Sequence, residues 1–209
     1  MKNSYACYLI ISGLFFLLIG CGSTPPSRFY TLSPLGDLKA EQQSTSVGHG
    51  ISIAIGPVEI PDYLDRPNIM IRTSQNELTL SEFDRWAGSL KEDIARVLSE
   101  NLSKLAAPDQ ISVTEWGWGG DYDYRVAVDI NQFDIMPEGN VLLKAEWALV
   151  GKDGTRIIVR RERLIDPVDG QTYEAKVSSM SRALETLSRD IASEVKSAMQ
   201  KDLSGKSTQ

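Results

Sequence analysis

Reactive side chains are scarce in this 209-residue sequence, which contains two cysteines and one histidine. A Ser-His-Asp triad needs a histidine held in a structured segment, and zinc sites draw heavily on the same residue. The one histidine, His49, lies in a polar run that we interpret as a solvated loop. Neither GxxxxGK[ST] nor a GxGxxG after a strand is present, so no nucleotide cradle is predicted. We therefore expect no metal, no cofactor and no catalytic residue.

Positive charge is also in short supply. The chain has 22 Lys and Arg residues against 28 Asp and Glu residues, a net charge of −6. Binding to nucleic acid requires clusters of Lys and Arg that neutralise phosphates, so we expect no nucleic-acid partner. A polybasic contact with anionic lipid is disfavoured for the same reason.

The N-terminus has the pattern of a secretory signal. One basic residue, Lys2, precedes an uncharged apolar run from Tyr5 to Ile19. That run is roughly fifteen residues long, whereas a helix needs about 20 to cross a bilayer. A basic start and a short apolar segment are typical of a cleaved signal peptide, which we place at residues 1–20. An uncleaved anchor helix is the alternative.

The end of this signal resembles a bacterial lipobox. Leu18, Ile19 and Gly20 would be the recognition sequence, and Cys21 the lipidated residue. The resemblance implies a diacylglyceryl thioether and an amide-linked acyl chain such as palmitate, and two or more chains anchor a protein stably. Gly22 follows, where lipoproteins retained at the inner membrane often have Asp. We therefore expect an outer-membrane lipoprotein that faces the periplasm.

Processing would leave a mature chain long enough for one domain. Removing twenty residues from 209 leaves 189, with 21 basic and 28 acidic residues and a net charge of −7. Cys7 would leave with the signal and Cys21 would be a thioether, so no disulfide is expected. We predict a lipidated, flexible tether with a short strand at 21–50, the folded domain at 51–203 and a disordered tail at 204–209.

Hydrophobic periodicity predicts two long helices. Apolar residues recur every three or four positions over residues 88–105 and again over 173–201, each forming a single stripe. A coiled-coil partner for the second helix is the alternative to packing on the chain's own sheet.

Period-two alternation predicts the strands. A strand at 51–55 is ended, or placed at an edge, by Pro57 and Pro61. The other predicted strands are a hairpin at 69–72 and 77–80, a short strand at 111–114 and a meander at 124–131, 141–150 and 156–165. We expect one α+β domain, with a largely antiparallel sheet and two long helices packed on one face.

Several blocks, in order along the mature chain, resemble the ABC-type transport auxiliary lipoproteins, the PqiC-like family. They are the lipobox and tether followed by RFYTL at 28–32, IGPVEIPDYLDRP at 55–67, IR at 71–72, RWA at 85–87 and LKAEW at 143–147. This resemblance implies a part in lipid traffic between the two bacterial membranes. Family members accompany MCE-domain proteins, inner-membrane transport components and sometimes an ATPase.

The implied role is structural, since the chain has no ATPase motif. We hypothesise that it docks a periplasmic MCE assembly to the outer membrane and that it forms a homo-oligomer, because MCE proteins form rings. Two other functions stay open. One is a lipid-binding module with its own acyl-chain cavity, and the other is an envelope hydrolase that uses Asp121 and Asp123, which flank Tyr122.

Aromatic and arginine residues dominate interface energetics, which suggests candidates for partner contact. We nominate Tyr63, Arg66 and Arg72, although the same residues could pair locally with Asp62 or Asp65.

Tryptophans fall into two groups. Trp116 and Trp118, two apart among glycines, would project from a loop toward a partner or cover the end of the core. Trp86 and Trp147 lie within or beside apolar patterns and are predicted to be core residues.

Overall fold

Eight strands form one mixed sheet, and two helices pack on one of its faces. The computed structural model describes residues 25–36, 51–106, 111–117 and 121–206, with side chains described as far as residue 200. This architecture confirms the predicted α+β domain. The signal peptide, Cys21 and the end of the tail lie outside the described residues, so the proposed segment boundaries there stay predictions.

Each helix begins after a hydroxyl side chain that caps it. Helix α1 covers Leu90–Ala106 and helix α2 covers Tyr173–Lys206. The hydroxyls of Ser89 and Thr172 each accept a hydrogen bond from the amide three residues later, at 3.3 and 3.1 Å. Such N-caps satisfy an amide that has no partner within the helix. Capping places the start of α1 at 90 rather than 88, and α2 continues to 206 rather than 201.

The apolar stripes of both helices are buried, as their periodicity predicts. Residues with essentially no exposed surface line the contact between the helices and the sheet, namely Ile94, Val97 and Leu98 of α1 with Leu184, Leu187 and Ile191 of α2. Burying each such side chain contributes about 1.5–3 kcal/mol relative to leaving it exposed. Trp86 and Trp147 are also buried, which confirms their predicted place in the core.

The long strand β6 organises the sheet. The strands are β1 Arg28–Tyr30, β2 Ser52–Glu59, β3 Asn68–Arg72, β4 Leu78–Trp86, β5 Ser112–Glu115, β6 Tyr124–Ile135, β7 Asn140–Gly151 and β8 Arg156–Pro167. On one side β6 pairs with β7, which pairs with β8. On the other side it pairs with β2 along its first half and with β3 at its end, so the sheet branches into β2–β5 and β3–β4–β1.

Antiparallel ladders include the meander and the hairpin predicted from the sequence. These ladders are β3–β4, β6–β7 and β7–β8. At the β7–β8 turn, Gly154 has a φ of 84°, the left-handed conformation that a turn of the Asp-Gly type requires. Four further pairings are parallel: β1–β4, β2–β5, β2–β6 and β3–β6. Alternation predicts which face a residue occupies but not which strand it pairs with, so these were not foreseen.

Strand β2 is longer than predicted because it continues through Pro57. Its pairing with β5 stops at Ile55, and its register against β6 shifts between Ile55 and Val58. Pro57 therefore lies where one side of β2 is already an edge, which is a position that tolerates a missing amide donor. The strand ends at Glu59, two residues before Pro61.

Candidate functional site

Among the described residues, no helix covers the side of the sheet opposite α1 and α2 over β6, β7 and β8. Along β6, Val126 and Val128 are buried toward the helices, so the residues between them project to the other side. We call this surface the helix-free face. Its residues are Arg125, Ala127, Asp129, Gln132 and Asp134 of β6, the even-numbered positions 142–150 of β7, the odd-numbered positions 159–165 of β8, and Arg72, Leu80 and Phe29 on the β3–β4–β1 branch.

Exposed apolar side chains are concentrated on the helix-free face. Six large hydrophobic residues are exposed in the described part of the chain, and five belong to this face or adjoin it: Phe29, Leu80, Trp116, Val159 and Ile165. The sixth, Ile157, lies at the register irregularity near the start of β8. A water-facing side of an antiparallel sheet is ordinarily polar. The concentration of exposed apolar groups on and beside one face makes it the candidate surface for interaction.

At one end of this face, Asp134 joins two of the residues nominated for partner contact. The carboxylate is buried, and it accepts hydrogen bonds from the Tyr63 hydroxyl at 2.8 Å and from Arg72 Nε at 2.6 Å. Gln132 Nε2 donates to it at 2.7 Å. Charge-assisted bonds of this kind are stronger than neutral ones and compensate for burying the charge. The local acid partner is therefore Asp134 and not the adjacent Asp62 or Asp65.

The pKa shifts of Tyr63 and Arg72 agree with their hydrogen bonds to Asp134. Burial and the hydrogen bond to Asp134 raise the pKa of Tyr63 well above its ordinary value. Burial lowers the pKa of Arg72, but the hydrogen bond and charge of Asp134 together outweigh it, so the net shift is upward. Tyr63 stays protonated and Arg72 stays charged at physiological pH. The cluster therefore keeps the protonation states that its hydrogen bonds and ion pair require, and it joins β3 to β6 at this end of the face.

Trp116 marks the other end of the helix-free face. Its side chain is exposed, and the guanidinium carbon of Arg125 lies 5.6 Å from the ring centroid, within cation–π range. Gly56 makes this placement possible, because it has a φ of 133° and a Cβ there would be 2.9 Å from Trp116 Cβ. Trp118, its predicted companion, lies outside the described residues. Arg66 is exposed in the turn that precedes β3.

A second buried carboxylate, Asp84, attaches the N-terminal segment, residues 28–36, to the sheet. Arg28 Nε donates to its Oδ1 at 2.8 Å, and the Tyr30 hydroxyl donates to the same oxygen at 3.0 Å. The Ser81 hydroxyl donates to Oδ2 at 2.8 Å. The sequence pattern did not reveal this partner, although Asp84 directly precedes the Arg85-Trp86-Ala87 block.

Asp84 is expected to contribute to the loss of stability as the pH falls below about 4. Burial raises its pKa, but hydrogen bonds from Arg28, Ser81 and Tyr30 outweigh burial and leave the pKa below its ordinary value. A depressed folded-state pKa adds stability above the unfolded value of about 3.9, and this is lost as pH falls through the folded value. Urea unfolding between about pH 5 and pH 3 should show a steeper loss for the native chain than for Asp84→Asn. Equal slopes would refute the assignment.

Beyond β1, the N-terminal segment lies against both helices and is bound by their polar side chains. Asp93 accepts a hydrogen bond from the Leu32 amide at 2.6 Å, and Arg96 donates to the Leu32 carbonyl at 2.8 Å. Farther on, the amide of Leu35 donates to Oδ1 of the fully buried Asn101 at 2.6 Å. The segment is part of the folded domain, so the predicted flexible tether does not include residues 28–36.

Asp121 and Asp123, the two carboxylates considered for hydrolysis, form local structural contacts before β6. Asp123 accepts hydrogen bonds from the amide and hydroxyl of Ser52 at 2.9 and 2.8 Å, and these bonds lower its pKa. Asp121 is exposed and lies 3.2 Å from Lys152 Nζ. A depressed pKa disfavours the protonated form that a general acid needs. Neither residue lines the apolar cavity under the helices or the groove between Thr31 and Arg182.

Between the sheet and the helices the core is nearly filled. The apolar cavity there has a volume of about 10 Å³ and is lined by residues that include Ile53, Leu102 and Ile191. This is about enough space for one water molecule. This cavity is therefore too small for an acyl chain.

The predicted lipidation site lies outside the described residues. Cys21 and its recognition residues Leu18, Ile19 and Gly20 fall among residues that are not described. None of the helices in the described ranges combines the length and hydropathy needed to cross a bilayer. Across those same ranges, no three His, Cys, Asp or Glu side chains come together in a way that could hold a metal ion.

The fold and the site together define an α+β domain with a filled core, two helices on one face and an open, partly apolar sheet face on the other. The chain belongs to the family of ABC-type transport auxiliary lipoprotein components, whose model matches residues 30–192. This match confirms the family resemblance drawn from the sequence blocks. The family description makes the chain a lipoprotein component that assists transport.

Curated relatives and solved structures agree with this assignment. The chain is 24% identical over 179 residues to the intermembrane transport lipoprotein PqiC of Escherichia coli K12 and to that of Shigella flexneri, covering 86% of this chain and 92% of each relative. A crystal structure of an uncharacterized protein matches with a TM-score of 0.69 and 22% identity over 82% of this chain and 99% of that one. Protein XCC0632 from Xanthomonas campestris matches with a TM-score of 0.67 and 15% identity, over 85% and 99%. These two structures support the fold.

Proposed function

We propose that the chain is a non-catalytic component of an MCE-type intermembrane lipid transport system. It is anchored to the outer membrane through lipidated Cys21 and docks periplasmic and inner-membrane components of that system. The observation that carries this proposal is the helix-free face, which exposes Val159 and Ile165 with Trp116 beside them, while the apolar cavity under the helices is too small for an acyl chain. The name of the relatives, intermembrane transport lipoprotein, supports the same role.

Under this proposal, the short tether holds the domain close to the membrane. Arg28, where β1 begins, is seven positions after Cys21. A fully extended chain of that length spans at most about 25 Å. Because the N-terminal segment is bound to the sheet and to both helices, the anchor restrains the whole domain and not a loose arm. The β1 edge would then be the side nearest the lipid.

Partner contact is assigned to Tyr63, Arg66, Arg72, Trp116 and Trp118. Tyr63 and Arg72 act through the shape of their cluster with Asp134, while Arg66 and Trp116 are exposed and available for direct contact. A homo-oligomer, whose symmetry would match a ring of MCE proteins, is also part of this proposal.

Replacing Cys21 with alanine tests the anchor. The variant should leave the outer-membrane fraction because a chain without acyl groups has no stable hold on the bilayer. Cys7→Ala, which alters the predicted signal peptide and not the acceptor, is the matched control and should fractionate as the native chain does. Retention of the Cys21→Ala variant in the outer membrane would contradict the lipid-anchor proposal.

The partner role is tested on the native, lipidated chain. Affinity purification from detergent-solubilised envelopes should recover an MCE-domain protein, and native mass spectrometry of the product should give the subunit number. Absence of any MCE protein from the purified material would contradict the transport proposal, whatever the outcome for Cys21. A monomer would contradict the proposed homo-oligomer alone.

A further inference from the structure

Among the described residues, one side of strand β8 has no strand neighbour, and α2 binds its backbone only near its end, where the carbonyls of Asp166 and Pro167 accept hydrogen bonds from Ser179 and Arg182. The strand is twelve residues long, and its other side pairs with β7. The unpaired amides and carbonyls of such an edge can accept another strand. Its one register irregularity lies near its start, between Leu149 and Val150 of the partner strand, so most of the edge is regular.

Beside this edge, the helix-free face carries two cations that repel each other. Lys144 and Arg163 are directly opposite in the β7–β8 register, and both are exposed. Opposed residues of this kind have Cβ atoms about 4.5–5.5 Å apart, and like charges there are destabilising. The neighbouring Arg161 is different, because it is bound to Glu146 at 2.6 Å. Within the described part of the chain, neither Lys144 nor Arg163 forms an ion pair.

We infer that the β8 edge accepts an extended segment of the transport partner, in which acidic residues alternate with apolar ones. The added strand pairs with the free backbone of β8. A carboxylate on its outward side lies by Lys144 and Arg163, and an apolar residue two positions away packs beside Ile165 or Val159. Residues two apart on a strand share a face, so one segment can meet both requirements. This inference rests on the proposed function and identifies the surface that performs it.

Charge selects a partner strand over a second copy of β8. Symmetric antiparallel pairing of two β8 edges centred on position 162 or 163 places Arg163, which has no ion pair among the described residues, opposite Arg161 or Arg163 of the second copy. Such pairing is disfavoured, whereas an acidic strand is attracted. A lipid headgroup could neutralise the same cations but has no backbone groups to offer to the edge. The carboxylate-bearing strand satisfies both observations.

Binding of the full lipidated chain, in detergent, to the purified MCE-domain protein of its own system tests this inference. Lys144→Glu with Arg163→Glu should weaken binding at least about tenfold, since reversed charges then face the carboxylates. Lys152→Glu with Arg189→Glu alters the total charge equally, at the β7–β8 turn and on α2, and should leave the affinity within about twofold. Lys144→Gln with Arg163→Gln should fall between the two.

Hydrogen exchange of the complex supplies the second measurement. Backbone amides of residues 156–165 that point to the free edge should become protected when the partner binds, because strand addition pairs them. Unchanged exchange there would overturn the added strand, and equal affinity of all variants would overturn the cation site while the partner role stands. Failure of the native chain to bind the MCE-domain protein would overturn the proposed function together with this inference.

Two further results would identify a different occupant and overturn the inference. One is dissociation of a native oligomer by the charge-reversed pair of substitutions, seen in analytical ultracentrifugation, which would indicate a second copy. The other is binding of phosphatidylglycerol vesicles by the Cys21→Ala chain that the same pair of substitutions abolishes, which would indicate lipid.

Discussion

Replacing Asp134 with alanine is expected to lower the free energy of unfolding by about 3 kcal/mol. The substitution leaves the half-buried Arg72 guanidinium without its counter-ion and removes the acceptor of the Tyr63 hydroxyl. Breaking a buried pair by removing one partner typically costs about 3–5 kcal/mol, and the partial exposure of Arg72 places this pair at the low end. Urea unfolding of the domain, followed by circular dichroism, measures the change.

Asp129→Ala is the matched control for this experiment. Asp129 lies on the same strand and the same face, but its side chain is exposed. Surface substitutions of this kind usually change stability by less than about 0.5 kcal/mol. Equal effects at the two positions would show that the Tyr63–Asp134–Arg72 cluster does not hold this end of the helix-free face together.

Replacing Asn101 with alanine is expected to release the N-terminal segment and to destabilise the domain by about 2–3 kcal/mol. The amide side chain has no exposed surface, accepts from the Leu35 amide at 2.6 Å and donates to the Ser188 hydroxyl at 3.1 Å. Each buried group left without a partner costs about 1–3 kcal/mol. Hydrogen exchange at Leu35 and urea unfolding measure the two effects.

Asn131→Ala serves as the control because Asn131 is exposed and bonds only to the carbonyl of Asp129 on its own strand. It should change neither the exchange at Leu35 nor the stability by more than about 0.5 kcal/mol. Slow exchange at Leu35 in the Asn101→Ala variant would mean that the bonds of Asp93 and Arg96 to Leu32 suffice to retain the segment.

Attachment of this segment matters for the proposed anchoring. Force on a lipidated Cys21 would pass through the tether to Arg28 and Asp84, and from there to the sheet. If the segment were free, the tether would lengthen from the six residues 22–27 toward the start of β2 at Ser52, and the domain could move farther from the membrane. Under the proposed anchoring, the buried Asn101 and Asp84 define how closely the domain follows Cys21.

Much of the fold could be predicted because its signals are local. Three-residue and four-residue spacing located both helices, and period-two alternation located the β6–β8 meander. Helix ends were less well predicted, since a cap such as Ser89 depends on one side-chain bond. The parallel neighbours of β2 depend on how α1 returns the chain to the sheet, which is a property of the assembled layers.

Among the site residues, too, some could be predicted from their residue type, and others became apparent only from tertiary contacts. Tyr63, Arg72 and Trp116 stand out as residue types suited to contact, and the structure places them at or beside the helix-free face. Asp134 did not stand out, because on sequence grounds it is one more polar residue at an outward position of a strand. Its burial follows from Tyr63 and Arg72, which arrive from sequence positions more than sixty residues away.

Sequence pattern alone was sufficient for the α+β class, the family resemblance and the expectation that the chemistry resides in Cys21, because these depend on residue types and short spacings. Only the tertiary structure brings Lys144 opposite Arg163 and leaves one side of β8 without a strand neighbour among the described residues. It also buries Asp134 and Asp84 against hydrogen-bond donors that are distant in the sequence. Such contacts join residues whose separation along the chain carries no periodic signal. The physical reason is that burial and pairing partners are properties of the packed sheet and not of any one segment within it.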